Sequence, residues 1–317
     1  MDLIGLNSAV IEDVTKALKG NLYTLSNLDV YDTRFYPPRN DDPERVLRYF
    51  MTMVAIDHRV SRPGKPYYFC FDDGCYSGAD LLYRLGMMRY LDDADFFSPD
   101  RLSRISVSEV LRTFSVDGTS LPDPEVRTML LRDLGLKLVK LYGSSVSSII
   151  ESSNNRIRGS LSSAGLAENL RVFRAYEDPV DKKTMLLAKF LTARGFLNPL
   201  DEIDVAVDNH LVRIAYRLGL VFVSGSLWRK IKDGIEVSYE EDILLRLVIR
   251  AAYKQLAIKS GIKSAIIDDH FWITGRGICL RDRQPLCHKC MFNICCRARE
   301  HPIFMVNEHI YYDTWYY

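Results

Sequence analysis

Apolar residues recur along most of this chain at spacings of three and four. Residues 43–56 place Val46, Leu47, Phe50, Met51 and Val54 on one face, the signature of an amphipathic helix. Asp41 or Asp42 stands before Pro43, which suits an N-cap followed by a first-turn proline. The same period predicts helices over 76–88, 124–142, 144–152, 165–176, 182–194, 208–219 and 239–258. Strand-like alternation is confined to 67–71 and the tail 310–317. Irregular chain is expected at 31–40 with its Pro37-Pro38 pair, at 61–66, at 92–101 and through the cysteine-rich stretch near the end. The pattern predicts an all-α protein without solenoid repeats or low-complexity tracts.

A length of 317 residues allows one large or two small domains with a substantial core. Three regions suggest themselves: a helical region over 1–104, a second over 105–222, and a C-terminal region over 223–317. Hydrophobic content of 47% and charged content of 26% are ordinary for a globular chain. The formal net charge is +1, so any basic surface for nucleic acid must be local. The N-terminus does not read as a secretory signal, and no segment reaches membrane-spanning length. A cytoplasmic protein working as a single copy is expected.

Five of the seven cysteines lie within 279–296. The spacing is Cys279-x7-Cys287-x2-Cys290, then Cys295 at x4 or Cys296 at x5. Clustering of this kind, without a signal peptide, indicates a reduced compartment and a metal rather than a disulfide framework. Four thiolates suit tetrahedral zinc or an iron–sulfur cluster. A zinc ribbon carries two C-x2-C pairs, whereas here a single pair is flanked by one cysteine on each side, which favours a [4Fe-4S] cluster. Arg276, Arg281, Arg283, Lys289, Arg297 and Arg299 surround the cysteines, opposed only by Asp282. They form a candidate phosphate-facing surface and also offset the cluster's own charge.

A second constellation is Val-Asp-Asn-His-Leu-Val-Arg-Ile-Ala-Tyr-Arg-Leu-Gly-Leu over 207–220. Asp208 sits where a helix should begin, so it reads as an N-cap. Its carboxylate also has the chemistry to stabilise a developing cation or to activate water. This stretch resembles the segment around the catalytic aspartate of the helix–hairpin–helix DNA glycosylases, the endonuclease III-like superfamily. Ile278-Cys279, Pro285, Cys287, Cys290 and Cys296 resemble that family's iron–sulfur loop, with one extra residue in the first spacer. The two motifs occur in the family's order, and the likeness spans residues of about 105–300. It implies two helical domains with a cleft between them, and a C-terminal [4Fe-4S] loop on Cys279, Cys287, Cys290 and Cys296 that braces rather than reacts. It further implies Asp208 as catalytic carboxylate and His210 beside it in substrate binding. Arg281 and Arg283 would lie in a loop that meets the DNA backbone.

The resemblance also places Lys183-Thr184 on the family's Lys-Thr, where bifunctional members carry the lysine that forms a Schiff base. The preceding hairpin departs from the family. Where Gly-Val-Gly is expected, the chain has Pro179-Val180-Asp181, and Glu177, Asp178 and Asp181 put carboxylates where a phosphate would dock. Proline removes a backbone donor and glycine's freedom is lost. Residues 107–220 are loosely similar in layout to the queuosine nucleotide salvage N-glycosylases, which act on a free modified nucleotide and lack the cluster cysteines.

Outside the resemblance, 69–80 is the densest polar-aromatic stretch. Asp72-Asp73-Gly74 reads as a turn, with Tyr76 offered to stack on a base and Asp73 to bind its edge. Tyr311, Tyr312, Tyr316 and Tyr317 are expected against the cluster region. The leading expectation is release of a damaged or modified base from duplex or single-stranded DNA. Alternatives are N-glycosidic hydrolysis of a modified nucleotide, or a non-catalytic iron–sulfur nucleic-acid-binding protein. No membrane partner is expected.

Overall fold

A computed structural model describes residues 3–19, 29–62 and 64–317. Pro63, inside the irregular stretch expected at 61–66, lies outside the described residues. In chain order the elements begin with β1 (Ile4–Leu6), α1 (Ser8–Lys19), α2 (Pro43–Ala55), β2 (Tyr68–Phe71), β3 (Gly74–Ser77) and α3 (Ala79–Asp92). Next come α4 (Pro99–Leu102), α5 (Val107–Phe114), α6 (Pro124–Tyr142), α7 (Ser147–Ser152), α8 (Leu166–Leu170) and α9 (Lys182–Ala193). The last are α10 (Asn209–Leu218), β4 (Val221–Val223), α11 (Gly225–Asp233), α12 (Tyr239–Ser260), α13 (Ser264–Gly277) and α14 (Arg297–Glu300). Among the described residues no helix is long and apolar enough to cross a membrane.

The chain divides into two compact units: Asp29–Asp201 with Trp315–Tyr317, and Met1–Leu28 with Glu202–Thr314. These bounds differ from the three regions drawn from the sequence, because α1 packs along α12 far downstream and β1 pairs antiparallel with β4.

In the unit built from 29–201, α2 is the central helix. Asp42 caps it by accepting from Arg45 N at 2.8 Å, and Pro43 occupies its first turn. Tyr49, Phe50, Met53 and Val54 are wholly buried, against α9 among others. α6 ends at Gly143 in the left-handed region, and the next predicted helix starts only at Ser147, after Ser144 at φ 66°. The Glu44 carboxylate accepts from Val146 N at 2.6 Å and Ser147 N at 3.0 Å, which fixes that later start. The predicted helix over 76–88 begins instead at Ala79, because 74–77 pairs with 68–71 as a hairpin about an Asp72-Asp73 turn. That register sets Cys70 directly opposite Cys75, and a disulfide joins them. The cysteine spacing did not anticipate this pairing.

In the other unit α12 is the long core helix. A reciprocal Ser238–Glu241 capping box opens it and left-handed Gly261 closes it. Helices α1, α11, α13 and the short α14 fall outside the predicted spans. The tail is not the predicted strand: Ile310 makes one bridge, to Glu236, and the remainder is irregular. Tyr311 packs by Tyr239, Tyr312 is exposed, and Tyr316 and Tyr317 belong to the other unit.

Candidate active site and cysteine centre

The approach to α10 is a buried run, Val205, Ala206 and Val207, anchored where Ala206 N donates to the Asp268 carboxylate at 3.0 Å. Asp208 then turns extended, with φ −116°, and caps the helix. Its Oδ1 accepts from His210 N at 2.9 Å and Leu211 N at 3.0 Å. Both bonds land on the same oxygen of a half-buried carboxylate. The N-cap expectation and the catalytic expectation therefore concern one side chain whose second oxygen is not used by the cap.

His210 is held from three sides. Its ring stands edge-on to Trp272 at 6.2 Å between centroids, and its Nδ1 lies 3.0 Å from Arg213 Nη2. A Cβ on Gly275 would come within 2.7 Å of the His210 Cβ, so the glycine permits the close crossing of α10 and α13. Burial pushes the imidazole pKa down. The ring is thus neutral near pH 7, and acceptance from Arg213 assigns its proton to Nε2.

Two arginines on the same face of α10 bind the cysteine loop. Arg213 Nε donates to Cys279 O at 3.0 Å and Arg213 Nη2 to Gly275 O at 2.8 Å. Arg217 Nη1 donates to Cys279 Sγ at 3.3 Å and to Leu280 O at 2.7 Å, while Cys296 Sγ donates to Arg217 O at 3.4 Å. Gly219 ends α10 with φ 82°, and a side chain there would strike Arg297 of the loop.

Cys279, Cys287, Cys290 and Cys296 all border one cavity, together with Ile214, Arg217 and Phe292, and Cys295 does not. Burial pushes the Cys290 thiol up to about 11, and the charges of Cys279, Cys287 and Cys296 add to the rise. Cys296 is raised by burial and by Cys279 and Cys287 in the same way. Four thiols bordering one cavity fit an iron–sulfur cluster, whose binding would expel their protons. Among the described residues no three His, Cys, Asp or Glu side chains are gathered closely enough for a single metal ion. Of the surrounding cations, Arg281 pairs with Glu308 at 2.8 Å, Arg276 lies over the Trp272 ring, and Arg283 is exposed.

The hairpin before α9 carries its own anion. The Asp178 carboxylate accepts from Val180 N at 2.9 Å and from Lys182 N at 3.0 Å, and it is completely buried. Asp181, at φ 59°, is also buried and pairs with Arg158 at 2.7 Å. Two of the three carboxylates expected at a phosphate site thus face inward, and Glu177 alone is exposed.

Lys183 is expected as a nucleophile, yet it has no exposed surface. Its Nζ lies 2.5 Å from Ala55 O and 3.3 Å from His58 Nδ1. Lys182 Nζ donates to Asp57 O at 3.1 Å, Arg127 donates to His58 O, and Tyr176 OH to Met51 O at 2.6 Å. Three of these buried donors, Lys183, Lys182 and Arg127, therefore satisfy carbonyls at and just beyond the C-terminus of α2 that its own ladder leaves open, while Tyr176 adds a bond to a carbonyl inside the helix. Burial pushes the Lys183 and His58 pKa values well down. Lys183 thus caps the end of α2 and has no exposed surface.

Asp73 and Tyr76 are both already engaged by neighbouring side chains. Tyr76 is 5% exposed, edge-on to Phe35, so its ring is not free to stack on a base. Asp73 pairs with Arg84 at 2.7 Å. The sequence left unread Glu308, the inward bonding of Asp178 and the carbonyl-capping roles of Lys182, Lys183 and Arg127, all defined by partners distant in sequence or by backbone atoms.

No protein-family model matches the chain, and no curated protein does. Among solved structures the chain is similar to a trapped endonuclease III–DNA covalent intermediate, an estranged-adenine complex, at 13% identity and a TM-score of 0.51, covering 93% of this chain and 98% of that one. It is also similar to a thermostable thymine-DNA glycosylase at 13% identity and a TM-score of 0.48, covering 92% and 98%. The chain has the helical fold of the endonuclease III structure.

Proposed function

We propose that the chain is an N-glycosylase that releases a base from DNA, with Asp208 as its carboxylate and the cysteine loop as an iron–sulfur brace. The observation that carries this reading is the state of Asp208. It is half-buried, oriented by two helix N–H groups on one oxygen, and rooted in a helix whose arginines grip the cysteine loop. The second oxygen is suited to stabilise a sugar cation as the glycosidic bond breaks, or to orient the attacking water. Bound on Cys279, Cys287, Cys290 and Cys296, a [4Fe-4S] cluster would cross-link the loop, since four thiolates fill its coordination. Arg283 and the neighbouring cations would meet phosphate. With Lys183 enclosed, the reaction stops at hydrolysis and leaves the sugar–phosphate backbone intact.

A second reading has one observation in its favour. The hairpin N–H groups that could take a phosphate already hold Asp178, which favours a modified nucleotide over a continuous duplex. A titration of iron-loaded protein separates the two, using an abasic duplex, an undamaged duplex and free nucleotides at two salt concentrations. Duplex binding with steep salt dependence supports DNA, and Arg283→Ala should lower the slope by about one counterion. Salt-insensitive binding of nucleotides alone rejects the DNA reading.

A further inference from the structure

The tail runs along α10 residue by residue. Arg217 Nε donates to Val306 O at 2.8 Å and Arg217 Nη2 to Asn307 Oδ1 at 2.9 Å. Arg213 Nη1 meets Glu308 Oε2 at 2.9 Å. Tyr216 OH meets His309 Nδ1 at 2.9 Å, and His309 Nε2 meets Asp242 Oδ1 at 2.9 Å on α12. Residues 213, 216 and 217 share one helix face, so four successive tail residues are fixed to the helix that Asp208 opens.

Glu308 does more than hold the tail. Its Oε1 takes Arg281 Nε at 2.8 Å, from the first spacer of the cysteine loop. One carboxylate, 7% exposed, thus neutralises an arginine from α10 and another from the loop. Arg213 is 2% exposed, and an uncompensated guanidinium at that depth is strongly unfavourable. Arg213 in turn holds Cys279 O and faces His210, next but one to Asp208.

We infer that Glu308 is a positioning residue that locks the cysteine loop to the helix carrying Asp208, through Arg281 on one side and Arg213 on the other. The inference rests on the reading of the cysteines as an iron–sulfur site. Loading of the loop and the placement of α10 are then linked.

The test is a double-mutant cycle on iron release from the loaded full-length protein, read with bathophenanthroline disulfonate as ferrous chelator. Glu308→Gln keeps the shape but removes the charge, and should speed release about tenfold, about 1.4 kcal/mol. Arg281→Gln alone should speed it, yet add less than about twofold to E308Q, because both act through one contact. The cluster's midpoint potential should rise in E308Q, since two nearby guanidinium charges lose their counter-charge, a shift that a purely architectural role would not produce. Additive effects, an unmoved potential, or release from E308Q within about twofold of wild type would overturn the inference. Should E308Q not fold, R281Q alone decides, and wild-type release from it counts against the lock. Wild-type protein that releases no base removes the glycosylase reading and leaves these iron measurements to judge Glu308. Protein that takes up no iron overturns the iron–sulfur reading and, with it, this inference.

Discussion

Arg217 donates to the sulfur of Cys279 across 62 positions of sequence, at 3.3 Å, while its own carbonyl faces Cys296 Sγ at 3.4 Å. One helical residue thus touches the first and last of the four cavity-lining cysteines. Its guanidinium also reaches Leu280, Val306 and Asn307, which explains a buried arginine without a carboxylate partner in those contacts. Arg217→Lys keeps the charge but loses the planar fork. We expect that variant to assemble less iron per chain and to lose it several-fold faster than wild type, by iron assay and visible absorbance, with helix content unchanged. Wild-type iron content and retention in R217K would remove the arginine from the centre's support.

Asp208 combines a cap and a proposed catalytic group, and the two can be separated. Asparagine caps helices about as well as aspartate, whereas alanine costs about 1 kcal/mol. Asp208→Asn should therefore melt close to wild type and release base at least about a hundredfold more slowly, within the range of a lost acid–base group. Single-turnover assays with thermal melts on both variants check this. Undiminished turnover in D208N would place the chemistry elsewhere.

Much of this arrangement is legible in the sequence, and what is not has a common physical cause. Helices α2, α6, α9, α10 and α12 show apolar period, and the positions of Asp42, Asp208 and the cysteines follow from local chemistry. The four cysteines chosen by spacing and resemblance are those that border the cavity. Glu308 could not be read, because its partners Arg213 and Arg281 lie far away and the tail has no periodic pattern. Lys183 and Tyr76 misled for a related reason. Lysine and tyrosine are usually exposed in part, and only tertiary packing reveals that α2's open carbonyls and Phe35 enclose them.

Lys183 gives a sharp negative expectation. Borohydride treatment with abasic duplex should trap no covalent adduct, because Nζ is enclosed against Ala55 O and His58. Lys183→Ala should instead destabilise the fold by about 3 kcal/mol, combining a cavity with an unsatisfied buried carbonyl. Urea unfolding measures that loss. A trapped adduct in wild type that vanishes in the variant would restore Lys183 as nucleophile.

His270 sets the acid side of stability. It is 9% exposed, its ring lies edge-on to Phe271 and Phe292, and its Nε2 has no hydrogen-bond partner. Burial pushes its pKa down to about 4. The unfolded chain, with a histidine pKa of about 6.5, binds this proton first, so stability rises with pH across that window. The contribution is complete above pH of about 6.5 and is lost as pH falls towards 4, to a total of about 3 kcal/mol. Burial lowers His58 and His210 as well, and both act with the same sign. Urea midpoints at pH 5 and 7 should therefore show a clear fall in acid, and His270→Phe should shrink that difference while leaving the neutral midpoint little changed. An equal acid loss in H270F would assign the fall to other groups.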